Sequence, residues 1–172
     1  MLSKSVEQAL NNQIRIEAES SQIYLSMACW AEIQGLEGVA RFMYTQSDEE
    51  RVHMLKLIKF VNERGGHAHI TELNAPKTTF NTFQQLFSEL YKHELFVSQS
   101  INELVHITLS EKDYATHNFL QWYVAEQIEE EAQAKTILDK INLIGDDKGG
   151  LYLFDRDIQQ ITVTSQILPG AN

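Results

Sequence analysis

The chain is poor in several things, and each shortage narrows what it can be. There is one cysteine in 172 residues, Cys29, so no internal disulfide can form, and a reducing compartment fits the chain. A single thiol also excludes a Cys₄ zinc or iron–sulfur site built within one chain. Basic residues are scarce: 14 Lys and Arg stand against 24 Asp and Glu, a formal net charge of −10. That balance argues against nucleic acid or an anionic membrane surface as partner and leaves cations as natural ligands. No apolar run approaches the ~20 residues that span a bilayer. The opening MLSKSVEQALNNQ lacks the apolar core of a secretory leader, so a cytoplasmic protein is expected.

Proline is nearly absent, with only Pro76 and Pro169. Residues 1–75 and 77–168 therefore leave room for very long helices. Breakers gather at Gly35–Gly38, Gly65–Pro76, Ser110–Asp113 and Gly145–Gly150. Between them, apolar residues recur at three- and four-residue intervals. The pattern predicts helices near 3–33, 37–64, 80–109 and 113–143, and a shorter one near 151–164. The connections at 34–37 and 110–113 are short enough to force antiparallel neighbours. The stretch from Gly65 to Thr79 can extend about 50 Å, whereas a helix over 38–64 is about 40 Å long. It can therefore run the full bundle and set the second and third helices parallel. The expected fold is all-α, a four-helix bundle with one long crossover between the second and third helices and a short fifth C-terminal helix. One domain over 1–165 and a tail over 166–172 are expected.

Each long helix has one stripe that should face the core. These read Val6, Leu10, Ile14, Glu17, Tyr24, Ala28; then Val39, Met43, Gln46, Glu50, His53, Leu57, Phe60; then Phe83, Phe87, Leu90, Glu94, Val97, Ile101; and finally Leu120, Tyr123, Gln127, Glu130, Ala134, Ile137, Ile141. Every stripe carries one carboxylate near its middle. A lone inward Glu is commonly solvated or paired with Arg or Lys, but these stripes offer no buried Arg or Lys as partner. Glu17, Glu50, Glu94 and Glu130 cannot all be buried and ionised without compensation, because each lone buried charge costs at least several kcal/mol. Two divalent cations would balance four carboxylates. His53 lies three residues after Glu50, so both project from one helical turn as Glu-x-x-His. An oxygen-rich set with one imidazole suits iron or manganese better than a structural zinc.

Other candidates are weaker. Glu103 and His106 repeat Glu-x-x-His, but Glu103 lies half a turn out of phase with Glu94 and should face solvent. His67 and His69 form a His-x-His pair in the crossover and read as polar loop residues. His93 and His117 read as flank or surface residues, and Cys29 and Trp122 as packing residues. Tyr24 is inward, one heptad from Glu17, and beside metal could hydrogen-bond a ligand or supply an electron. Glu49, Glu126 and Glu129 sit about 100° off their stripes. Spacing leaves them equally readable as an outer cation site or as a solvated face.

Taken together, Glu17 with Tyr24, Glu49-Glu50-Arg51-Val52-His53, Tyr91-Lys92-His93-Glu94, and Asn118 through Gln127 followed by Glu129-Glu130 resemble bacterial non-haem ferritin over about residues 1–165. The resemblance implies a hollow homo-oligomeric shell of 24 subunits that oxidises Fe(II) with O₂ or H₂O₂ and stores a ferric mineral. It implies one iron on Glu17, Glu50 and His53, and a second on Glu50, Glu94 and Glu130 with Gln127 close by. It also implies a third on Glu49, Glu126 and Glu129. Bacterioferritin's haem-ligating Met would directly follow the Glu of Glu-x-x-His; Arg51 stands there, so no haem is expected. The inward pair Gln127-x-x-Glu130 is unlike a second Glu-x-x-His, and one Cys excludes a rubrerythrin-like rubredoxin iron. Animal ferritins carry three-fold-pore acids at positions that match His117 and Leu120 here, so an acidic entry of that kind is not expected. Two rival functions share the residue pattern: a di-iron or di-manganese carboxylate oxidase or peroxidase without mineral storage, and a non-catalytic helical interaction module.

Overall fold

The computed structural model describes residues 1–160, and among these the secondary structure is all helical. Four long helices, α1 (Lys4–Ile33), α2 (Glu37–Glu63), α3 (Phe83–Ser110) and α4 (Tyr114–Ile144), are followed by the short α5 (Lys148–Asp157). No helix among the described residues is long and apolar enough to cross a membrane. The expected end of the fifth helix near 164 and the tail over 166–172 lie outside the described residues.

Helix starts follow local capping chemistry. The side chains of Ser3, Thr82 and Asp113 accept from the backbone amides of Val6, Gln85 and Thr116, satisfying donors that the first turn leaves unpaired. Capping also explains two displaced boundaries. α3 begins at Phe83 rather than 80 because Thr82 takes the cap. α5 begins at Lys148 rather than 151 because Asp147 accepts from both Gly149 and Gly150, carrying the helix through two poor helix formers. α2 has no side-chain cap of its own; instead the Val39 amide donates to Asp155 Oδ1 of α5 at 2.8 Å. This approach requires Gly38, where a Cβ would fall 1.8 Å from the Asp155 carbonyl oxygen.

The crossover over residues 64–82 is pinned along α1. His67 N donates to Glu7, His69 N to Asn11, and the Asn74 backbone and side-chain amides to Glu19. The Ser26 hydroxyl donates to the Lys77 carbonyl. These anchors run from Glu7 to Ser26 of α1, about 28 Å of helix axis, in ascending order. The connection therefore travels the bundle's length, and α2 and α3 run parallel.

Side-chain burial divides the bundle into three layers. One apolar block holds Val6, Leu10, Ile14, Leu57, Val61, Val97, Ile101 and Leu120. The other holds Met27, Val39, Met43, Leu86, Leu90, Ile137 and Ile141, joined by Phe154 of α5. Phe60 and Phe83, expected on the stripes, are only half-buried; Val61 and Leu86 are fully enclosed. After Leu57 the inward step is i+4, to Val61, while on α3 Leu86 and Phe87 both face in and Phe83 sits at the margin of that face. Phe60 instead stacks on Phe119 at 3.8 Å between centroids, and Phe83 packs edge-on to Trp30. Between the two blocks, all four long helices turn polar side chains inward.

Candidate metal centre

The polar layer is built by one short segment from each long helix. α1 contributes Glu17, α2 Glu50 and His53, α3 Glu94, and α4 Gln127 and Glu130; all six are buried, the least so Glu130 at 9% exposure. Three converge as a potential ligand set: Glu17, Glu50 and His53 offer atoms within 4.8 Å of one another. His53 Nδ1 lies 3.4 Å from Glu50 Oε2 and 4.0 Å from Glu17 Oε2. Glu50 Oε2 is buried and has no hydrogen-bond partner. Such an orphan acceptor is costly, and a cation between these atoms would satisfy it.

Across the layer, Glu94 is already engaged. Tyr24 donates its hydroxyl to Glu94 Oε1 at 2.5 Å, and Gln127 Nε2 is 3.3 Å from Glu94 Oε2 and 3.2 Å from Ser98 Oγ. Burial raises the Glu130 carboxyl, and the charges of Glu94, Glu49, Glu126 and Glu129 add to that. Of that outer trio, Glu49 and Glu126 are half-buried and Glu129 is exposed. Gln46 donates its amide to Glu49. The off-stripe acids thus act on Glu130 through their charge, while among the described residues the tight three-residue convergence is that of Glu17, Glu50 and His53.

Electrostatics records the missing charge balance. Burial, followed by the neighbouring carboxylates, pushes the Glu17, Glu50 and Glu130 carboxyls well above the usual carboxylate range. Burial also raises Glu94, against opposing hydrogen bonds from Tyr24 and Gln127. The Tyr24 phenol is driven up by burial and then by Glu94, Glu130 and Glu50. Among the described residues, no Lys or Arg enters the layer. Cations placed among these carboxylates would offset the buried charge that otherwise favours their protonated forms.

The weaker candidates fall outside this layer. Glu103 and His106 are exposed, as are His67 and His69, whose rings lie 4.4 Å apart. His117 is half-buried. His93 meets buried Ser20 at 2.8 Å, and burial lowers its ring to about 4, so it is neutral near pH 7. Cys29 is exposed rather than packed within the chain. Trp122, read as a packing residue, has 37% exposure and sets its ring edge-on to His53 at 5.1 Å. Lys56 Nζ lies 3.2 Å from that ring's centroid, a cation–π contact. Two functional neighbours escaped sequence reasoning. Tyr123 donates to the His53 carbonyl at 2.8 Å, and buried Gln13 donates to Glu17 at 2.8 Å. Gln13 was detectable as the residue one turn before Glu17 on the same face.

Residues 7–144 match the family described as the ferritin-like domain. The chain belongs to the ferritin-like family. It is 44% identical over 164 residues to a bacterial non-heme ferritin of Campylobacter jejuni, covering 95% of this chain and 98% of the relative. It is 43% identical to a probable bacterial non-heme ferritin-like protein of Haemophilus influenzae, covering 94% and 98%. Among solved structures, an open pore ferritin from the hyperthermophilic archaeon Archaeoglobus fulgidus superposes with a TM-score of 0.91 at 42% identity, covering 92% of this chain and 98% of that one. The ferritin bundle with its short C-terminal helix matches the expected fold, and the Glu17–Glu50–His53 cluster fits a ferroxidase site.

Proposed function

We propose that this ferritin binds Fe(II) in the polar layer, oxidises it and stores the ferric product within a multi-subunit shell. The observation that carries the reading is the buried Glu17–Glu50–His53 cluster, with its unpartnered Glu50 oxygen, inside a four-carboxylate layer that no Lys or Arg enters among the described residues. One Fe(II) is held by Glu17, Glu50 and His53, and a second by Glu50, Glu94 and Glu130 with Gln127 beside it. Each ion gives up one electron. The pair reduces O₂ with two protons to H₂O₂, or H₂O₂ with two protons to water. The carboxylates carry the ions' charge and stabilise Fe(III) over Fe(II). Tyr24, hydrogen-bonded to Glu94, orients that ligand and is placed to lend an electron.

Glu49, Glu126 and Glu129 form a third iron position beside Glu130, on the path by which product leaves. Arg51, where a haem-ligating Met would stand, supports a centre without haem. The assembly is a 24-subunit homo-oligomer of 19.8 kDa chains working in the cytoplasm, with no nucleic acid or membrane partner. A mass near that of a dimer would instead favour a small carboxylate oxidase. Fe(II) mixed with O₂ should give rapid ferric absorbance in stopped flow, largely lost in His53→Ala and in Glu130→Ala. Unchanged oxidation in both variants would refute the site.

A further inference from the structure

The two oxygens of Glu17 have different neighbours. Oε2 is the atom near His53 Nδ1, while Oε1 accepts from Gln13 Nε2 at 2.8 Å. Gln13 is 2% exposed, and its own carbonyl is met by Ser100 Oγ at 2.7 Å from α3. The Ser100 proton also has the Val97 carbonyl within 2.9 Å, so it serves one acceptor at a time; Gln13 Oε1 has Ser100 as its donor.

We propose that Gln13 is a positioning residue for the iron ligand Glu17, and that Ser100 fixes Gln13. This rests on the reading of Glu17 as a ligand. The terminal torsion of a glutamate is broad and roughly two-fold, so an unrestrained Glu17 carboxylate would swivel and offer either or both oxygens to a cation. A hydrogen bond at Oε1 leaves Oε2 facing His53 and Glu50, a one-oxygen presentation. Gln13 can do this only in one amide orientation. Flipped, its carbonyl would face the carboxylate and its NH₂ the Ser100 oxygen, and Glu17 would lose its donor. The Ser100 hydroxyl favours the productive orientation by donating to the carbonyl. The result is a Ser100–Gln13–Glu17 chain that ties a ligand on α1 to α3, the helix carrying Glu94. Partners of this kind around metal ligands commonly govern affinity by 10- to 100-fold.

Co(II) is a suitable probe, since its visible spectrum reports coordination geometry without turnover. In the assembled, metal-stripped protein, Gln13→Met, which keeps the side-chain volume and removes the donor, should weaken the tightest Co(II) binding about 10-fold and alter its visible bands. Ser100→Ala should shift both readouts in the same direction by less. The double variant should match Gln13→Met alone, because Ser100 acts through Gln13. An unchanged Co(II) spectrum and affinity in Gln13→Met overturns the proposal, as does an additive Ser100→Ala effect. Should Gln13→Met fail to assemble, the half-buried Ser100→Ala decides: an unchanged Co(II) spectrum overturns the proposal and a shifted one supports it. A wild-type protein that binds no Co(II) overturns the ligand reading and this proposal together, whereas normal wild-type binding with an indifferent Gln13→Met removes only the positioning role.

Discussion

The two sides of the polar layer contain the same chemistry in different states. On the α1–α2 side, Glu17, Glu50 and His53 crowd one another, and a buried Glu50 oxygen lacks a partner. On the α3–α4 side, Glu94 already receives hydrogen bonds at both oxygens, from Tyr24 and Gln127. The first side is poised for a cation; the second must surrender a hydrogen bond, or reshape one, to take another. Equal numbers of carboxylates therefore do not make equal sites, because the neighbours decide how much binding relieves.

The sharpest way to break this comparison is to remove the residue that the proposed site gives to both ions. Glu50→Ala should lower Fe(II) oxidation by more than about 100-fold, beyond the range typical of losing a ligand's supporting partner; stopped-flow ferric absorbance would measure it. Next in size is an asymmetry between sides. In anaerobic Co(II) titrations of the stripped protein, Glu17→Ala should remove the tighter binding event, whereas Glu130→Ala should leave it and weaken the later one. The reverse pattern would invert the comparison.

Proton linkage gives a smaller effect with a definite sign. Folded Glu17, Glu50 and Glu130 carboxyls sit well above their ordinary range, so the folded state binds more protons than the unfolded state. Their contribution favours folding at pH values below the unfolded carboxylate range and is lost as pH rises toward the raised values. Metal-stripped protein should thus lose stability as pH rises above the unfolded carboxylate range in urea titrations with chelator, and Glu50→Gln should flatten the dependence. Tyr24→Phe should be the mildest change. It removes one donor from Glu94, worth about 1.5–3 kcal/mol for a hydrogen bond to a charged group, and should slow oxidation about 10-fold while leaving the tighter Co(II) event unchanged.

Much of this was legible in the chain because helical periodicity is a local property. Glu17, Glu50, Glu94, Gln127 and Glu130 each fall on an apolar stripe, and the structure buries all five. The long crossover followed from comparing its reach with a helix length. What stayed hidden depends on contacts between helices. Nothing near Gln13 in the chain announces Ser100, which lies 87 positions away. The unequal hydrogen bonding of Glu50 and Glu94 likewise arises only once Tyr24 and Gln127 close on the same carboxylate. Phe60 and Phe83 were misplaced because a stripe specifies a face about 100° wide, not which of two adjacent turns seals it.

The layered arrangement also separates durability from reactivity. Each long helix is gripped at both ends by well-packed apolar blocks, and burying each Leu or Ile there contributes about 1.5–3 kcal/mol. The acidic, polar middle is spanned rather than relied upon, like a gap held open between two jaws of a vice. Cargo can enter and leave that gap many times while the jaws keep the helices at one spacing, so repeated filling and emptying need not loosen the fold.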